Sequence, residues 1–434
     1  MSTHPKAVRV FSFEQAAFAL LLVVGLYLPT SADGEHSVTA IGVAFAILIG
    51  LLVYLAWRFG IRCEIAAFIS LPIMMLPVSW TLWGLARGPV DVDLGLFLKF
   101  SALALILALD LQAFRPGGLL SSAFVLVNII NIAWGAVILI GSEWMTDFLP
   151  KYYWTAYTEL VPLMVGLHNP VLTFGTHSLA GFFIYLFFWL NWEDFRHRGS
   201  KLALFFALSY FVLLLGLTSF TSFGFAALAL AQMGMWSWKS KPRLVVVVGL
   251  CIFAIITMGI GAFPEQADNL KELPQLAGTS FLNTDLSGPL SRYGPEGSLR
   301  VAMTHLHDHP FLPIGFARST SGFDVESPSH FFIGDSGTLE YLLRGSVPLL
   351  VLTYFGLYRF LRHNLSLRSY ALLLFLVFIF FETAFELLTY FRTLYLLPFV
   401  VIHLNKIGLP HTIDHVRTTN LPRPWTLAGT YNVP

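Results

Sequence analysis

A histidine, two acids and an arginine stand just ahead of a long apolar run in residues 327–348, SPSHFFIGDSGTLEYLLRGSVP. These residues are His330, Asp335, Glu340 and Arg344. Ionisable side chains at membrane depth are costly, so their presence indicates function by default. Histidine titrates near neutral pH and can act as a general base, whereas arginine stays charged and can hold phosphate oxygens with two donors. The stretch therefore predicts a base and an anion-binding cation close together.

Each of these candidates also has a structural interpretation. Arg344 would then extend to the lipid headgroups with its aliphatic part in the membrane, and His330 would be an ordinary loop histidine. Arg300 and Arg318 lie in the preceding polar segment, where they are either further anion ligands or solvated loop charges.

The stretch HLHDHP, residues 305–310, invites a metal interpretation. In an extended segment His305, His307 and His309 would share one face, and three imidazoles can bind zinc. A turn before Pro310 would break that face, and alternating histidines also occur without metal. We therefore assign no metal, and keep His309 only as a secondary candidate for the site.

Glu382 and Glu386 are four residues apart, so that a helix would place both on one face. Two like charges there repel each other unless a cation such as Arg392 lies nearby. The alternative is a polar tip between the last two apolar segments. Both acids are secondary candidates, together with Glu340 and Asp335.

The elements that must position these residues are membrane helices. The 434 residues are 56% hydrophobic and 12% charged, whereas soluble domains carry about a quarter charged residues. A membrane span needs about 20 apolar residues, and the sequence contains twelve candidates. They are 12–30, 38–57, 64–85, 94–111, 119–141, 173–191, 201–217, 221–237, 243–263, 337–359, 368–385 and 387–405. The first run has no small-x-small cleavage site before Pro29, so we interpret it as a span rather than a signal peptide.

The charges agree with this count. With both termini in the cytoplasm, the internal segments and their flanks hold most of the 26 lysines and arginines, as the positive-inside rule requires. The net charge of +1 and the lack of a basic tract argue against a nucleic-acid partner. Cys63 and Cys251 form neither a disulfide framework nor a metal-binding pattern.

The predicted organisation has four parts. Residues 1–263 carry nine spans and an external aromatic loop at 142–172, residues 264–336 form a large external loop, residues 337–405 carry three spans, and 406–434 form a cytoplasmic tail. Loops longer than about 15 residues are usually functional or disordered, and the regular aromatic residues of the large loop favour function. The rings of KYYWTAYTEL in the aromatic loop would stack on sugars or form a belt at the membrane interface.

Four stretches appear in an order that resembles a known superfamily. They are FGTHSLAGFF (174–183), LTSFTSFGFAALAL (217–230), SLRVAMTHLHDHPFLPIGFA (298–317) and SPSHFFIGDSGTLEYLLRGSVPLLVL (327–352). In this order the chain resembles the O-antigen ligase and Wzy-type polymerase superfamily of bacterial envelope glycosyltransferases. The stretches cover under a fifth of the chain, and His177 in the first of them is a secondary site candidate.

The sequence also departs from the family pattern. The family often has an arginine after the serine of the second stretch, where this chain has Phe220 or Phe223. That departure removes one phosphate ligand and leaves its role to other arginines. The loop histidine of the family is often followed by asparagine or serine, whereas Phe331 follows here.

The resemblance implies an all-α polytopic membrane protein, similar to GT-C glycosyltransferases, with about twelve transmembrane helices and a large external loop before the tenth. It implies transfer of a glycan from undecaprenyl diphosphate to a sugar hydroxyl on the periplasmic face of a bacterial inner membrane, without a cofactor. His330 would be the general base. The diphosphate ligands would be Arg300, Arg318, Arg344 and Arg392.

Three functions remain open. We favour a polymerase of exopolysaccharide or O-antigen, which joins undecaprenyl-diphosphate-linked repeats. A ligase would transfer the glycan to lipid A-core instead. A transporter of a lipid-linked sugar would carry polar groups near the midplane in matched halves, and this chain has few mid-span charges. Expected partners are the lipid bilayer, the lipid-linked glycan, and a chain-length regulator or flippase of the same pathway.

Overall fold

A computed structural model describes most of the helical part of the chain. The described residues are 13–32, 35–62, 64, 74, 76–82, 84–85, 94–114, 116–153, 169–217, 220–240, 306–307, 313–316, 336–383 and 385–408. Within them the structure is helical, apart from connections and one small antiparallel pair of strands, Ser31–Ala32 and Glu35–His36. The predicted all-helical class is therefore confirmed for these residues.

Eleven helices are defined in the described part of the chain. They are α1 Phe13–Tyr27, α2 Val38–Phe59, α3 Leu94–Ala108, α4 Gly118–Leu139, α5 Glu143–Tyr153, α6 His177–Arg198, α7 Lys201–Gly216, α8 Phe220–Ser240, α9 Gly337–Asn364, α10 Arg368–Glu382 and α11 Phe391–Gly408. Ten of them coincide with predicted spans. The span predicted at 243–263 lies outside the described residues, and that at 64–85 is described only in part, where it is helical.

Three of the described helices are long and apolar enough to cross a membrane. They are Thr39–Phe59, Gly118–Leu139 and Gly337–Asn364. Shorter apolar helices at Phe13–Tyr27, Leu94–Ala108, Lys201–Gly216 and Ser222–Gly234 accompany them. The chain therefore has helices suited to a lipid environment, and the total of about twelve spans stays a prediction.

The start of one helix and the presence of another differ from the prediction for local reasons. Helix α6 begins at His177 rather than residue 173, because the Thr176 hydroxyl accepts a hydrogen bond from Leu179 N at 3.3 Å and caps the first turn. Helix α5 is an additional element inside the predicted aromatic loop. Its sequence, EWMTDFLPKYY, is amphipathic, so a search for continuous apolar runs does not detect it.

Contacts between helix ends show how the bundle alternates in direction. Arg58 near the end of α2 pairs with Glu14 at the start of α1, and Lys406 near the end of α11 donates to Ser121 at the start of α4, 2.6 Å away. This end of the bundle is named the basic end. Its described arginines and lysines are Arg58, Arg62, Arg196, Arg198, Lys201, Arg359, Arg362, Arg368 and Lys406.

The opposite end of the bundle is named the loop end, because the sequence predicts that the loops 142–172 and 264–336 lie on that side. Helices α3, α6, α9 and α11 begin at this end, and α1, α4, α7 and α10 finish at it. The separation of cations between the two ends follows the charge pattern that the sequence predicts.

The interior of the bundle is aromatic and carries a few polar bridges. Helix α6 is buried from Ala180 to Trp192 without interruption, which explains why its sequence is apolar on every side. Asn128 of α4 and Asn191 of α6 exchange side-chain hydrogen bonds at 3.2 and 3.0 Å. Such bonds between membrane helices contribute about 0.6 kcal/mol each on average, so they fix the helix register more than they stabilise the bundle.

Candidate functional site

Charged side chains from three helices and one connection meet at the loop end. Lys99 comes from α3, Glu340 and Arg344 come from α9, Glu382 ends α10, and Glu386 lies in the connection to α11. We call these five residues the charged cluster. The sequence predicts four of them as site candidates, and the fold brings together groups that are up to 287 positions apart.

Helix α9 is broken inside the charged cluster. Gly345 and Ser346 leave the helical conformation, and Ser346 takes φ 59° and ψ −164°. Pro348 follows and has no backbone N–H, so the Arg344 carbonyl loses its helical donor. The turn at Ser346 likewise separates the Leu343 carbonyl from the next helical turn. Two backbone carbonyls therefore need donors from elsewhere in the chain.

A short segment of the large loop supplies those donors. The N–H groups of Ile314 and Gly315 donate to the Leu343 and Arg344 carbonyls at 2.8 and 3.0 Å. Gly315 has φ 58°, and a Cβ there would lie 2.4 Å from Leu76 O, so only glycine fits. This residue belongs to the third family-like stretch, where it stands five positions after Pro310. Segment 313–316 is thus attached to the break in α9.

Glu340 and Arg344 form a buried ion pair one turn apart on α9. Arg344 Nε donates to Glu340 Oε1 at 2.8 Å, and Arg344 Nη1 donates to the Gly315 carbonyl at 3.1 Å. The Arg344 side chain is only 4% exposed and the Glu340 side chain 5% exposed. The structural interpretation of Arg344 requires its side chain to extend to the lipid headgroups. The buried side chain does not do so. Its guanidinium joins α9 to the loop segment.

Glu382 is held by donors that are not cations. Its carboxylate accepts hydrogen bonds from the Tyr341 hydroxyl at 2.9 Å and from Leu387 N and Leu388 N at 3.1 and 3.0 Å. A Cβ added to Gly337 would lie 1.9 Å from Glu382 Oε1, so the carboxylate lies against the first turn of α9. The partial positive charge of a helix N-terminus favours an acid there. These bonds also form the turn that delays the start of α11.

Glu386 makes the second ion pair of the charged cluster. Lys99 Nζ lies 3.4 Å from Glu386 Oε1, with the lysine side chain 33% exposed and the glutamate 16% exposed. The Thr389 hydroxyl also donates to Glu386. Glu382 and Glu386 therefore have separate partners, and the cation close to Glu386 is Lys99.

Arg392 lies beside the end of α1 instead. Its Nη1 donates to the Gly25 and Leu26 carbonyls at 2.8 and 2.7 Å, where a helix C-terminus has unpaired carbonyls that favour a cation. The guanidinium also lies 5.7 Å from the Tyr153 ring centre. Burial raises the pKa of the Tyr153 phenol, which stays protonated and donates to Tyr27 O at 2.8 Å.

Several predicted site residues cannot be located in the structure. Those outside the described residues are His330, Arg300, Arg318, His309 and Asp335. His177 is described only as the first residue of α6. The predicted roles of these six stay predictions. In the described part of the chain, no group of three or more histidine, cysteine, aspartate or glutamate side chains is arranged to hold a metal ion.

Sequence reasoning missed Lys99 and Tyr341. Lys99 is the single charged residue in LGLFLKFSALALILA, the sequence of α3. A lone lysine in an apolar helix is the signal that identifies an ionisable group at membrane depth. Tyr341 gives no such signal, because tyrosines are common near membrane interfaces.

Side-chain exposure within the charged cluster increases from the Glu340–Arg344 pair to the Lys99–Glu386 pair. The Arg344 and Glu340 side chains are enclosed, Glu386 is slightly accessible, and Lys99 is the most exposed of these four. The two ion pairs make this part of the cluster neutral, and Glu382 adds a further acid. The buried Arg344 can therefore hold the loop segment in place, and the more exposed Lys99 can bind an anion.

Comparison of the chain with protein-family models, with curated proteins and with solved structures gives no match. The four family-like stretches therefore carry the resemblance alone.

Proposed function

We propose that the chain is a polymerase of exopolysaccharide or O-antigen, which joins undecaprenyl-diphosphate-linked repeats on the periplasmic face of a bacterial inner membrane. The observation that carries the proposal is the contact between segment 313–316 and the break in α9. It joins the third and fourth family-like stretches at Gly315 and Arg344, and this contact supports the proposal that the two stretches act together. The proposal includes about twelve spans, a GT-C-like fold and cytoplasmic termini.

The proposed reaction is a displacement at the anomeric carbon of the donor glycan. The acceptor hydroxyl oxygen attacks this carbon, its proton passes to His330, and the bond to the diphosphate oxygen breaks with its electron pair. Fixed positive charge stabilises the negative charge that develops on the leaving group. In this scheme Arg300 and Arg318 contact the diphosphate.

The two described arginines contribute differently in this scheme. Arg344 fixes the loop segment beside the site through its bond to the Gly315 carbonyl. Arg392 keeps the connection to α11 attached to the end of α1. Both are positioning residues in this conformation, because Arg344 Nη1 and Arg392 Nη1 donate to backbone carbonyls of the protein.

The test is the lipid-linked glycan profile of a deletion strain complemented with wild type, Arg300→Ala or His330→Ala. We expect polymer with wild type and single undecaprenyl-linked repeats with either variant, at equal protein levels. Arg58→Ala is the matched control, because this exposed arginine lies at the basic end and should leave polymer unchanged. Normal chain length in both loop variants would refute the proposal.

The same profile separates the alternatives. Long chains that stay on undecaprenyl diphosphate and never reach lipid A in the deletion strain would identify a ligase. Repeats trapped on the cytoplasmic side would identify a transporter.

A further inference from the structure

Lys99 occupies the accessible side of the charged cluster. It lies in the second turn of α3, and its ammonium reaches across to Glu386 in the connection between α10 and α11. One third of its side chain is exposed, whereas the Glu340–Arg344 pair is almost entirely enclosed. A ligand that approaches the cluster from outside the bundle therefore meets Lys99 before it meets Arg344.

The ion pair of Lys99 is suited to exchange. Lys99 is more exposed than the other members of the two ion pairs, and the 3.4 Å separation is long for a charge-assisted hydrogen bond. A diphosphate carries more charge than one carboxylate and offers several strong acceptors. It can therefore replace Glu386 as the partner of the ammonium, while the Thr389 hydroxyl still donates to the Glu386 carboxylate.

The arginines of the same region cannot exchange their protein partners for a diphosphate as easily. Arg344 would have to leave Glu340 and the Gly315 carbonyl, and the broken pair would leave a buried charge that costs about 3–5 kcal/mol. Arg392 would have to leave two carbonyls at the end of α1. Among the cations with described contacts here, Lys99 can change partner most easily.

We propose that the Lys99 ammonium binds the diphosphate of the lipid-linked substrate, and that Glu386 is the anion it contacts when no diphosphate is bound. This inference rests on the proposed function, because it names a ligand residue for the substrate of the same site. Glu386 then acts as an internal competitor, which weakens binding of the diphosphate and favours its release after transfer.

The inference is tested by binding to the purified full-length chain in phosphatidylcholine nanodiscs. The probe is undecaprenyl diphosphate, and undecaprenol is the uncharged reference with the same chain. Lys99→Gln should weaken binding of the diphosphate about tenfold, which corresponds to about 1.4 kcal/mol, and leave undecaprenol unchanged. Lys99→Arg should keep part of the affinity. Lys406→Gln, which removes a partly buried lysine at the basic end, should change neither affinity.

The double variant separates a ligand from a structural partner. Glu386→Gln should strengthen diphosphate binding because it removes the competitor, and Lys99→Gln/Glu386→Gln should bind as weakly as Lys99→Gln. If Lys99 serves only to neutralise Glu386, the double variant will regain wild-type affinity, and this result would overturn the inference. Equal losses for diphosphate and undecaprenol would also overturn it, since they indicate a damaged fold.

Three further outcomes separate a general anion site, a failure of the proposed function and a failure of the inference alone. If phosphatidylglycerol or inorganic pyrophosphate competes as well as the lipid diphosphate, Lys99 is a general anion site and the inference is wrong. If the wild-type chain binds undecaprenyl diphosphate no better than undecaprenol, the proposed function itself fails. If wild type binds the diphosphate but Lys99→Gln and Lys99→Arg bind it equally well, only the inference fails.

Discussion

The two ends of the bundle use charge in opposite ways. At the basic end, Arg58 and Glu14 form a pair whose side chains are 55% and 19% exposed. At the loop end, Glu340 and Arg344 are almost fully buried, and Arg344 also donates to the Gly315 carbonyl. The first pair lies in a solvent-accessible environment that screens it, whereas the second determines the position of a loop segment.

This difference shows which charges orient the protein and which build a site. Exposed pairs contribute about 0–1 kcal/mol, so the basic end can carry many cations whose individual contacts matter little. Removal of one partner from a buried pair costs about 3–5 kcal/mol, because it leaves an uncompensated charge. The comparison predicts a graded series of effects, from the loop end to the basic end.

The largest effect is expected for Glu340→Gln, which leaves the Arg344 charge buried without its carboxylate. We expect a loss of about 3–5 kcal/mol and a clear drop in the melting temperature of the detergent-solubilised protein, followed by tryptophan fluorescence. Glu340→Leu/Arg344→Leu should recover much of that loss, because both charges are removed together. A Glu340→Gln protein as stable as wild type would contradict the difference between the two ends.

Arg392→Gln should come next. It removes charge-assisted hydrogen bonds to the Gly25 and Leu26 carbonyls, and bonds to charged groups contribute about 1.5–3 kcal/mol. Arg392→Lys should be less harmful, since a cation remains at the end of α1. Equal melting temperatures for Arg392→Gln and wild type would show that these carbonyls find other donors.

Gly337→Ala should cost about 1–3 kcal/mol through overpacking, because the new methyl group would collide with the Glu382 carboxylate. The matched control is Gly50→Ala in α2, where an added Cβ meets nothing within 4 Å. That change should be neutral or stabilise by about 0.4–1 kcal/mol. Similar melting temperatures for the two variants would refute the close approach of α9 to Glu382.

Arg58→Ala should have the smallest effect on stability, because an exposed ion pair contributes little. The remaining contribution should decrease with added salt, because exposed charges are screened. Melting temperatures of wild type and variant at low and high salt provide the measurement. A large loss of stability that does not depend on salt would contradict the difference between the exposed pair at the basic end and the buried pair at the loop end.

The sequence predicts the helices better than it predicts their contacts. Continuous apolar runs identify α2, α4 and α10, because the membrane imposes length and composition on each helix separately. The spacing of Glu382 and Glu386 also indicates a polar tip. These features are local, so they can be recognised without knowledge of the rest of the fold.

The missed features depend on distant or subtle signals. The partner of Lys99 is 287 positions away, so only the closed bundle shows the pair. The letters GSVP at 345–348 contain a glycine and a proline, which are signals for a helix break. We nevertheless predicted one continuous span at 337–359, because its apolar composition dominates.

The break in α9 has a consequence for how the protein is made. The Leu343 and Arg344 carbonyls obtain their donors from Ile314 and Gly315. In lipid, an unpaired backbone group costs several kcal/mol. Helix α9 therefore completes its backbone bonding only with segment 313–316 in place. We therefore expect insertion of this helix and docking of segment 313–316 to be coupled, and we expect a chain that lacks this segment to assemble its last three helices poorly.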